Sequence, residues 1–299
     1  MNTVMFTNKS FSGKKVVALG KFDGIHTAHA RLLECAAQCA AAEGVLSLVY
    51  AMEPSGGKRL TQTDEKSCLV RSFGIDALCI EPLTQDFMSM DAKTFVRDIL
   101  KDKLDACRVV VGYNFRFAKD RSGDTEALKK YCKEHDIAVT VIDCVYGEEA
   151  GEQVVVSSSE IRRLASLGKV DALSPLLGRN YSVSGIVEKG KNLGSKLDFP
   201  TANIYKDMST LPLKHGVYHT KAHFDGLDFD ALTNVGTNPT VDMSDDVVKI
   251  ETHIPCFDGD MYGKKLTVEF LEYIRDEKKF STIDELKFQL KKDMEHLNK

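Results

Sequence analysis

The chain has 299 residues, 40 of them basic and 44 acidic, so its formal net charge is −4. A length near twice the ~150 residues of an average domain favours two domains. The mildly acidic charge lacks the basic excess of a general nucleic-acid-binding protein, so we expect no nucleic-acid partner. No apolar run approaches the ~18 residues of a membrane-spanning helix, and the N-terminal residues do not resemble a signal peptide. We therefore expect a cytoplasmic protein with no membrane contact.

The eight cysteines do not form a recognisable framework. They are scattered through apolar patterns, and the sequence contains no CxxC pair. This distribution is typical of reduced thiols that act as small hydrophobic residues, and it favours neither disulfides nor a zinc site.

Apolar runs alternate with helical patterns through the first half of the chain. The runs lie at 16–19, 45–50, 77–80, 108–112 and 137–142, and the helical patterns at 27–42, 64–73, 91–103 and 124–134. Alternation at this spacing predicts a Rossmann-like α/β domain with a parallel sheet covered by helices.

The pattern changes near Gly178. Short alternating segments with frequent Gly, Pro and Asn follow, which predict an antiparallel sheet or small β-barrel. A final amphipathic helix is predicted from about Thr282 to Leu297, with an apolar stripe formed by Ile283, Leu286, Leu290 and Met294. We therefore expect one domain over residues 1–178 and a second over 179–299.

The first chemical motif is LGKFDGIHTAHARLL, where a strand turns into a helix. His26 and His29 are three residues apart and therefore share one face of the helix start. The free N–H groups and dipole of a helix start favour an anion, and imidazoles can stabilise charge that develops on phosphorus. The alternative is a pair of surface histidines on an ordinary helix.

A second motif lies within residues 178–204 and contains PTAN. Thr201 and Asn203 offer a hydroxyl and an amide oxygen on the same side of an extended segment, and Mg²⁺ prefers such ligands. The preceding stretch from Gly185 to Lys191 fits GxxxxGK. However, Asn192 stands where a P-loop needs Ser or Thr, and no helix pattern follows, so we do not interpret it as a P-loop.

A third motif is the alternating segment VVKIETHI at 247–254. Glu251 shares a strand face with Lys249 and His253. A carboxylate here can act as a general base that takes a proton from a hydroxyl nucleophile. The alternative is an exposed glutamate paired with Lys249.

These motifs together resemble one bacterial family. GKFDGIHTAH resembles the HxGH signature of the nucleotidyltransferase superfamily, and specifically the start of the bifunctional riboflavin kinase/FMN adenylyltransferase family. Seven further segments resemble blocks of that family and follow in the same order. They are GYNFRFAKDRSGD (112–124), VSSSEIR (156–162), residues 178–204, NVGTNPT (234–240), the Glu251 strand, FDGDMYG (257–263) and RDEKKF (275–280). The resemblance extends from about Val16 to Asp293.

The resemblance implies two ATP-dependent reactions on small molecules: riboflavin to FMN, and FMN to FAD with release of pyrophosphate. In the first domain it implies that His26 and His29 are catalytic and bind the ATP phosphates, while Arg162 holds the pyrophosphate. The other ATP-binding residues implied there are Gly20, Phe22, Asp23 and Ser158, and the flavin-binding residues are Asn114, Phe115 and Arg116.

In the second domain the resemblance implies that Glu251 is the base acting on the ribityl hydroxyl. It implies ATP binding by Gly190, Gly194, Thr201 and Asn203, Mg²⁺ binding by Thr201 and Asn203, and flavin binding by Arg275 and Glu277. We expect Mg²⁺ as the cofactor and a monomer or weak homo-oligomer.

Several positions depart from the family pattern. Ala28 replaces the glycine of HxGH, Asn114, Ala118 and Asp120 replace Asp, Gly and Gly of the flavin-side loop, and Asp198 replaces a common glycine. We expect Ala28 to weaken adenylyl transfer rather than abolish it, because a methyl group intrudes where a nucleotide approaches the backbone. Two alternatives stay open: a kinase with a degenerate first domain, and a flavin-binding regulator without turnover.

Overall fold

The computed structural model describes residues 2–7, 9–54, 59–149, 151–189, 199–207, 212–237, 247–255 and 257–298. The chain divides into two compact units. The first unit comprises Met1–Gly57 and Thr61–Ser158, and the second comprises Lys58–Leu60 and Ser159–Lys299. Residues 159–178, which the sequence pattern assigned to the first domain, cluster with the second unit. The division of function at residue 178 stays a prediction.

The first unit is built on a sheet whose described strands run in the order β1-β4-β3-β2-β5-β6. The strands are β1 Asn2–Met5, β2 Lys15–Gly20, β3 Leu46–Glu53, β4 Ala77–Pro82, β5 Ala106–Gly112 and β6 Ala138–Ile142. Strands β2 to β6 pair in parallel, as predicted, and the short β1 pairs antiparallel with β4.

Helices cover this sheet, and a hairpin follows it. The elements are α1 Thr27–Glu43, α2 Thr63–Ser72, α3 Gln85–Ser89, α4 Ala92–Thr94, α5 Thr125–Lys133 and the hairpin strands β7 Tyr146–Glu149 and β8 Glu152–Val155. Helix α4 continues as a π-helical segment over Phe95–Lys103. Neighbouring β2 residues face opposite cores: Val17 and Leu19 pack in one hydrophobic cluster, and Val16 and Ala18 in the other. The central strands are therefore buried on both faces, as in other helix-covered parallel sheets.

The second unit contains a nearly closed antiparallel barrel whose described strands run in the order β10-β13-β12-β11-β14-β9. The strands are β9 Tyr181–Ile186, β10 Thr201–Asp207, β11 Gly216–Phe224, β12 Leu227–Thr237, β13 Val247–His253 and β14 Lys265–Arg275. A bridge between Glu188 and Asn203 joins the chain after β9 to β10, which brings the two sheet edges together. Gly185 is glycine because a Cβ atom would come within 2.3 Å of Ile204.

Three hydroxyl groups cross the barrel interior. Thr220 Oγ1 lies 2.8 Å from Thr233 Oγ1, which lies 3.0 Å from Thr252 Oγ1, and all three residues are buried. Thr220 also donates to the carbonyl of Ala231 at 3.1 Å. Each hydroxyl thus finds a partner within the barrel, which avoids the cost of burying unpaired polar groups.

Three further α-helices follow in the chain: α6 Ser158–Ser166, α7 Leu173–Leu177 and α8 Ile283–Met294. Helix α8 is attached through Asp293, which is 1% exposed and accepts hydrogen bonds from Arg275 Nε at 3.0 Å and Nη2 at 2.6 Å. The predicted apolar stripe is wrong at its first position, since Ile283 is 60% exposed. The reason is that Ile283 directly follows the helix cap Thr282, ahead of the packed turns. None of the described helices is long and apolar enough to cross a membrane.

We predict that His223 makes the stability of the second unit depend on pH. Burial lowers the pKa of His223, but hydrogen bonds to Asp228 at 2.7 Å and Glu269 at 2.9 Å outweigh burial and raise the pKa above 6.5. A raised folded-state pKa stabilises the protein below the unfolded pKa, and this stabilisation is lost as the pH rises through the folded pKa. The melting temperature should therefore exceed that of His223→Gln by a few degrees at about pH 5.5 and converge with it by about pH 8. A gap that does not change over this range would contradict the prediction.

Candidate active sites

The first site lies where β2 turns into α1. His26 caps the helix, and its Nδ1 accepts a hydrogen bond from the backbone N–H of His29 at 3.3 Å. The two imidazole rings stack with centroids 3.7 Å apart and planes 14° apart. The structure therefore brings the two predicted histidines together at a helix N-terminus, where N–H groups and the dipole favour an anion.

Burial decides the charge of His29. Its ring packs 5.1 Å from Phe22, and its Nδ1 is buried with no hydrogen-bond partner among the described residues. Burial lowers the pKa of His29 well below 6.5, and the neighbouring His26 and Lys66 lower it further. His29 is therefore a neutral imidazole near pH 7, with a buried polar atom that a bound ligand can satisfy.

Gly20, Phe22, Asp23 and Ser158, which are also predicted to bind ATP, lie at the same turn. Gly20 ends β2, and a Cβ atom there would lie 3.1 Å from the ring of Phe22, which is fully buried. Ser158 donates from Oγ to the carbonyl of Asp23 at 2.7 Å. Arg162 follows Ser158 by four residues on α6, so the two share one face of that helix. Ala28, the departure from the family glycine, lies half-buried in the first turn of α1.

The predicted flavin-side loop follows β5. Asn114 is exposed, Phe115 stacks on Phe117 with ring centroids 5.7 Å apart, and Arg116 pairs with Asp124 at 3.3 Å. A short bridge between Phe117 and Gly123 closes the loop.

Ala118 and Asp120 in this loop are not glycine, but they have the positive φ angles that glycine favours. Ala118 has φ 66° and ψ −179°, and Asp120 has φ 55°. The Ala118 conformation is one that glycine alone adopts easily, while aspartate tolerates the Asp120 conformation better. The alanine that replaces the family glycine at position 118 therefore strains the backbone of this loop.

The second site is a row of side chains across three strands of the barrel. Glu251 on β13 pairs with Asn203 on β10 and with Asn234 on β12. Paired residues of antiparallel strands project to the same face, and Thr201, two residues before Asn203, shares that face. The opposite face carries the buried residues Ile204, Ile250 and Val235, so the row lies on the outside of the barrel.

The polar groups of this row are unevenly satisfied. Asn203 is 4% exposed, and its Oδ1 is buried with no hydrogen-bond partner among the described residues. Glu251 forms an ion pair with Lys249, as the alternative interpretation expected, and His253 Nδ1 contacts the carbonyl of Pro200 at 2.8 Å. An unpaired amide oxygen beside a carboxylate and a threonine fits a hard cation such as Mg²⁺, which prefers oxygen ligands.

The two predicted flavin-binding residues of the second unit differ in their surroundings. Arg275 is held by Asp293, so its guanidinium already has a buried carboxylate partner. Glu277 accepts a hydrogen bond from Asn234 at 3.2 Å, and a Cβ atom at Gly236 would come within 2.1 Å of its carboxylate. Glu277 therefore joins the Glu251 row through Asn234, while Arg275 is used in attaching α8. Gly190, Gly194 and Asp198 lie outside the described residues.

The structure adds residues that sequence reasoning did not single out. Thr61 and Lys66 contact the β2–α1 turn from more than thirty positions away along the chain. Lys66 lies in the helix predicted at 64–73 and Thr61 lies just before it, and no spacing pattern connects either residue to His26.

Two family models match this chain, one over each of its two parts. Residues 8–160 match the FAD synthetase family model, and residues 177–299 match the riboflavin kinase model. A bifunctional riboflavin kinase/FMN adenylyltransferase from Buchnera aphidicola subsp. Schizaphis graminum is 30% identical over 97% of this chain and 95% of its own. The enzyme of that name from Escherichia coli K12 is 30% identical, with 93% and 90% covered.

A solved structure also matches across both units. The crystal structure of a macrolide-efflux protein from Streptococcus pneumoniae aligns with a TM-score of 0.83 and 27% identity, and the match covers 98% of this chain and 95% of that protein. The two compact units and the two matched family models define a two-domain, nucleotide-dependent transferase. The chain belongs to the bifunctional riboflavin kinase/FMN adenylyltransferase family, which confirms the resemblance drawn from its motifs.

We predict that Ala118→Gly stabilises the first unit. Relief of backbone strain is worth roughly 1–3 kcal/mol, and the greater freedom of glycine in the unfolded chain offsets about 0.4–1 kcal/mol of it. Chemical denaturation should show a gain of about 1 kcal/mol. The matched control is Ala127→Gly in α5, which should cost about 1 kcal/mol. Equal losses for the two variants would show that the Ala118 backbone is not strained.

Proposed function

We infer that the chain makes FAD in two steps, each carried out by one of its two domains. It phosphorylates riboflavin with ATP to give FMN, and it adenylylates FMN with a second ATP to give FAD and pyrophosphate. The observation that carries this inference is the presence of two separate polar sites, each on the domain whose family model matches it. The substrates are small molecules: riboflavin, FMN and ATP.

In the kinase domain we assign Glu251 as the general base. Its carboxylate accepts the proton of the ribityl 5′-hydroxyl as that oxygen attacks the γ-phosphorus of ATP and ADP leaves. The ion pair with Lys249 orients Glu251, and Asn234 links this row to Glu277. The position of Glu251 supports the assignment. Its side chain is half-exposed and lies between Asn203 and Asn234 in the row formed by the three paired strands.

Thr201 and Asn203 would hold Mg²⁺ in this domain. The buried, unpaired Oδ1 of Asn203 and the threonine hydroxyl on the same strand face fit such an ion. When bound, Mg²⁺ neutralises charge on the ATP phosphates.

In the adenylyltransferase domain we assign His26 and His29 to the ATP phosphates. A phosphate oxygen of FMN attacks the α-phosphorus of ATP, and the bond to pyrophosphate breaks. The histidine N–H groups and the start of α1 stabilise the negative charge that builds up on phosphorus. Arg162 is assigned to the departing pyrophosphate. A location in the cytoplasm and a monomer or weak homo-oligomer remain predictions for this enzyme.

A kinase with a degenerate first domain is the second candidate. Ala28 in the first turn of α1 and the strained backbone at Ala118 favour it, because both alter surfaces that the nucleotide and flavin of the first domain would meet.

We predict that Glu251→Gln removes most FMN formation while riboflavin still binds. Glutamine keeps the shape of the side chain but accepts no proton, and loss of a general base costs ~10²–10⁴ in rate. FMN produced from riboflavin and ATP measures the effect. The control is Glu272→Gln, which changes an exposed carboxylate of β14 and should leave the rate unchanged. A normal rate for Glu251→Gln would place the base elsewhere.

We predict that His29→Ala abolishes FAD formation from FMN and ATP and leaves FMN formation intact. The two sites lie in different compact units, so a loss at the β2–α1 turn should not disturb the barrel. Both products are measured on the same preparation. If wild type and His29→Ala make FAD equally fast, His29 has no catalytic role. If wild type makes no FAD, the kinase-only candidate is correct.

A further inference from the structure

The turn between β2 and α1, residues 21–26, adopts a backbone that its side chains do not favour. Phe22 has φ 49° and Ile25 has φ 41°, which places two bulky residues in the left-handed region. Both side chains are buried. Such conformations persist only where surrounding groups hold them, and they concentrate at functional sites.

Thr61 holds the middle of this turn through two hydrogen bonds. Its Oγ1 accepts from the backbone N–H of Gly24 at 3.2 Å, and its own N–H donates to Asp23 Oδ1 at 3.3 Å. Thr61 is 2% exposed, so water does not compete for these bonds. The threonine therefore fixes the two residues that precede Ile25 and the cap His26.

Lys66 holds the beginning of the same turn. Its Nζ donates to the carbonyl of Lys21 at 3.3 Å and forms an ion pair with Glu53, the last residue of β3. Lys66 is 2% exposed and Glu53 8%. A buried ammonium that is paired and hydrogen-bonded in this way keeps its position, because separating it from its partners would leave an uncompensated charge.

Lys66 also acts on the histidine pair through its charge. After burial and the neighbouring His26, the positive charge of Lys66 is the third cause that lowers the pKa of His29. The lysine therefore favours the neutral imidazole and at the same time anchors the turn that carries it.

We propose that Thr61 and Lys66 are positioning residues for adenylyl transfer. Their hydrogen bonds fix the backbone of the turn over Lys21–Gly24 and thereby set the placement of His26 and His29. This inference rests on the proposed function, in which the two histidines bind the ATP phosphates. Thr61 and Lys66 act through the backbone and not by contact with the reacting atoms. Placement of this kind matters because a misplacement of ~1 Å can cost ~10² in rate.

Thr61→Val and Thr61→Ser test the inference through the hydroxyl. Valine keeps the shape and removes the acceptor for Gly24, so kcat for FAD formation should fall by about 10- to 100-fold with little change in the KM for FMN. Serine keeps the hydroxyl and should restore most of the rate. FMN formation by the kinase domain of the same molecules is the internal control and should not change.

Lys66→Met tests the charge, with Lys129→Met on the exposed face of α5 as the matched control. The ring signals of His29, identified by their loss in His29→Gln, are followed by NMR as the pH is varied. The pKa of His29 should rise in Lys66→Met and stay at its wild-type value in Lys129→Met.

Two results would overturn the inference: a normal kcat for Thr61→Val, or a loss in Thr61→Val that serine does not rescue. A wild-type kcat for FAD formation in Lys66→Met, together with an unchanged His29 titration, would show that Lys66 has no positioning role. Failure of the underlying function looks different, because His29→Ala would then form FAD at the wild-type rate.

Discussion

Strand β13 pairs with β10 on one side and with β12 on the other. This pairing brings polar side chains from three distant segments of the chain into one candidate site. Backbone hydrogen bonds place Asn203, Glu251 and Asn234 in a single row. Strand side chains alternate, so a slip of one residue would turn Glu251 into the barrel interior and bring an apolar residue to the surface. The bonded hydroxyls of Thr233 and Thr252 on the interior face oppose such a slip, because each would lose its partner. The polar row outside therefore depends on the register that is locked inside.

The first unit reaches its site by a different route. Strand β2 ends at the carboxyl edge of the parallel strands, and the helix that follows it begins there, where the helix dipole favours an anion. His26 uses its own ring to cap that helix, and this fixes the ring beside His29. The result is a stacked pair of imidazoles, and loss of hydration at the His29 ring keeps that ring neutral. The preference for an anion at this point thus follows from the position of a helix start rather than from an excess of basic residues.

Periodicity and short motifs were enough to predict much of this molecule. Apolar runs predicted the parallel sheet, and alternation predicted the barrel. The motifs singled out His26, His29, Asn203 and Glu251; the structure brings the two histidines together in one unit, and Asn203 and Glu251 together in the other. Strand β1 was missed because four largely exposed residues carry no apolar period.

Features that depend on tertiary packing could not be predicted. The tie between Arg275 and Asp293, and the contacts of Lys66 with Glu53 and Lys21, join residues that no local spacing connects. The strain at Ala118 depends on a backbone conformation, which composition alone does not reveal.

The short antiparallel strand β1 affects how the sheet of the first unit can meet other molecules. By occupying the outer edge of β4, it covers a row of backbone groups that would otherwise be open to pairing with a strand of another molecule. β1 is itself too short and too exposed to be a good template, so it protects the sheet against edge-to-edge aggregation.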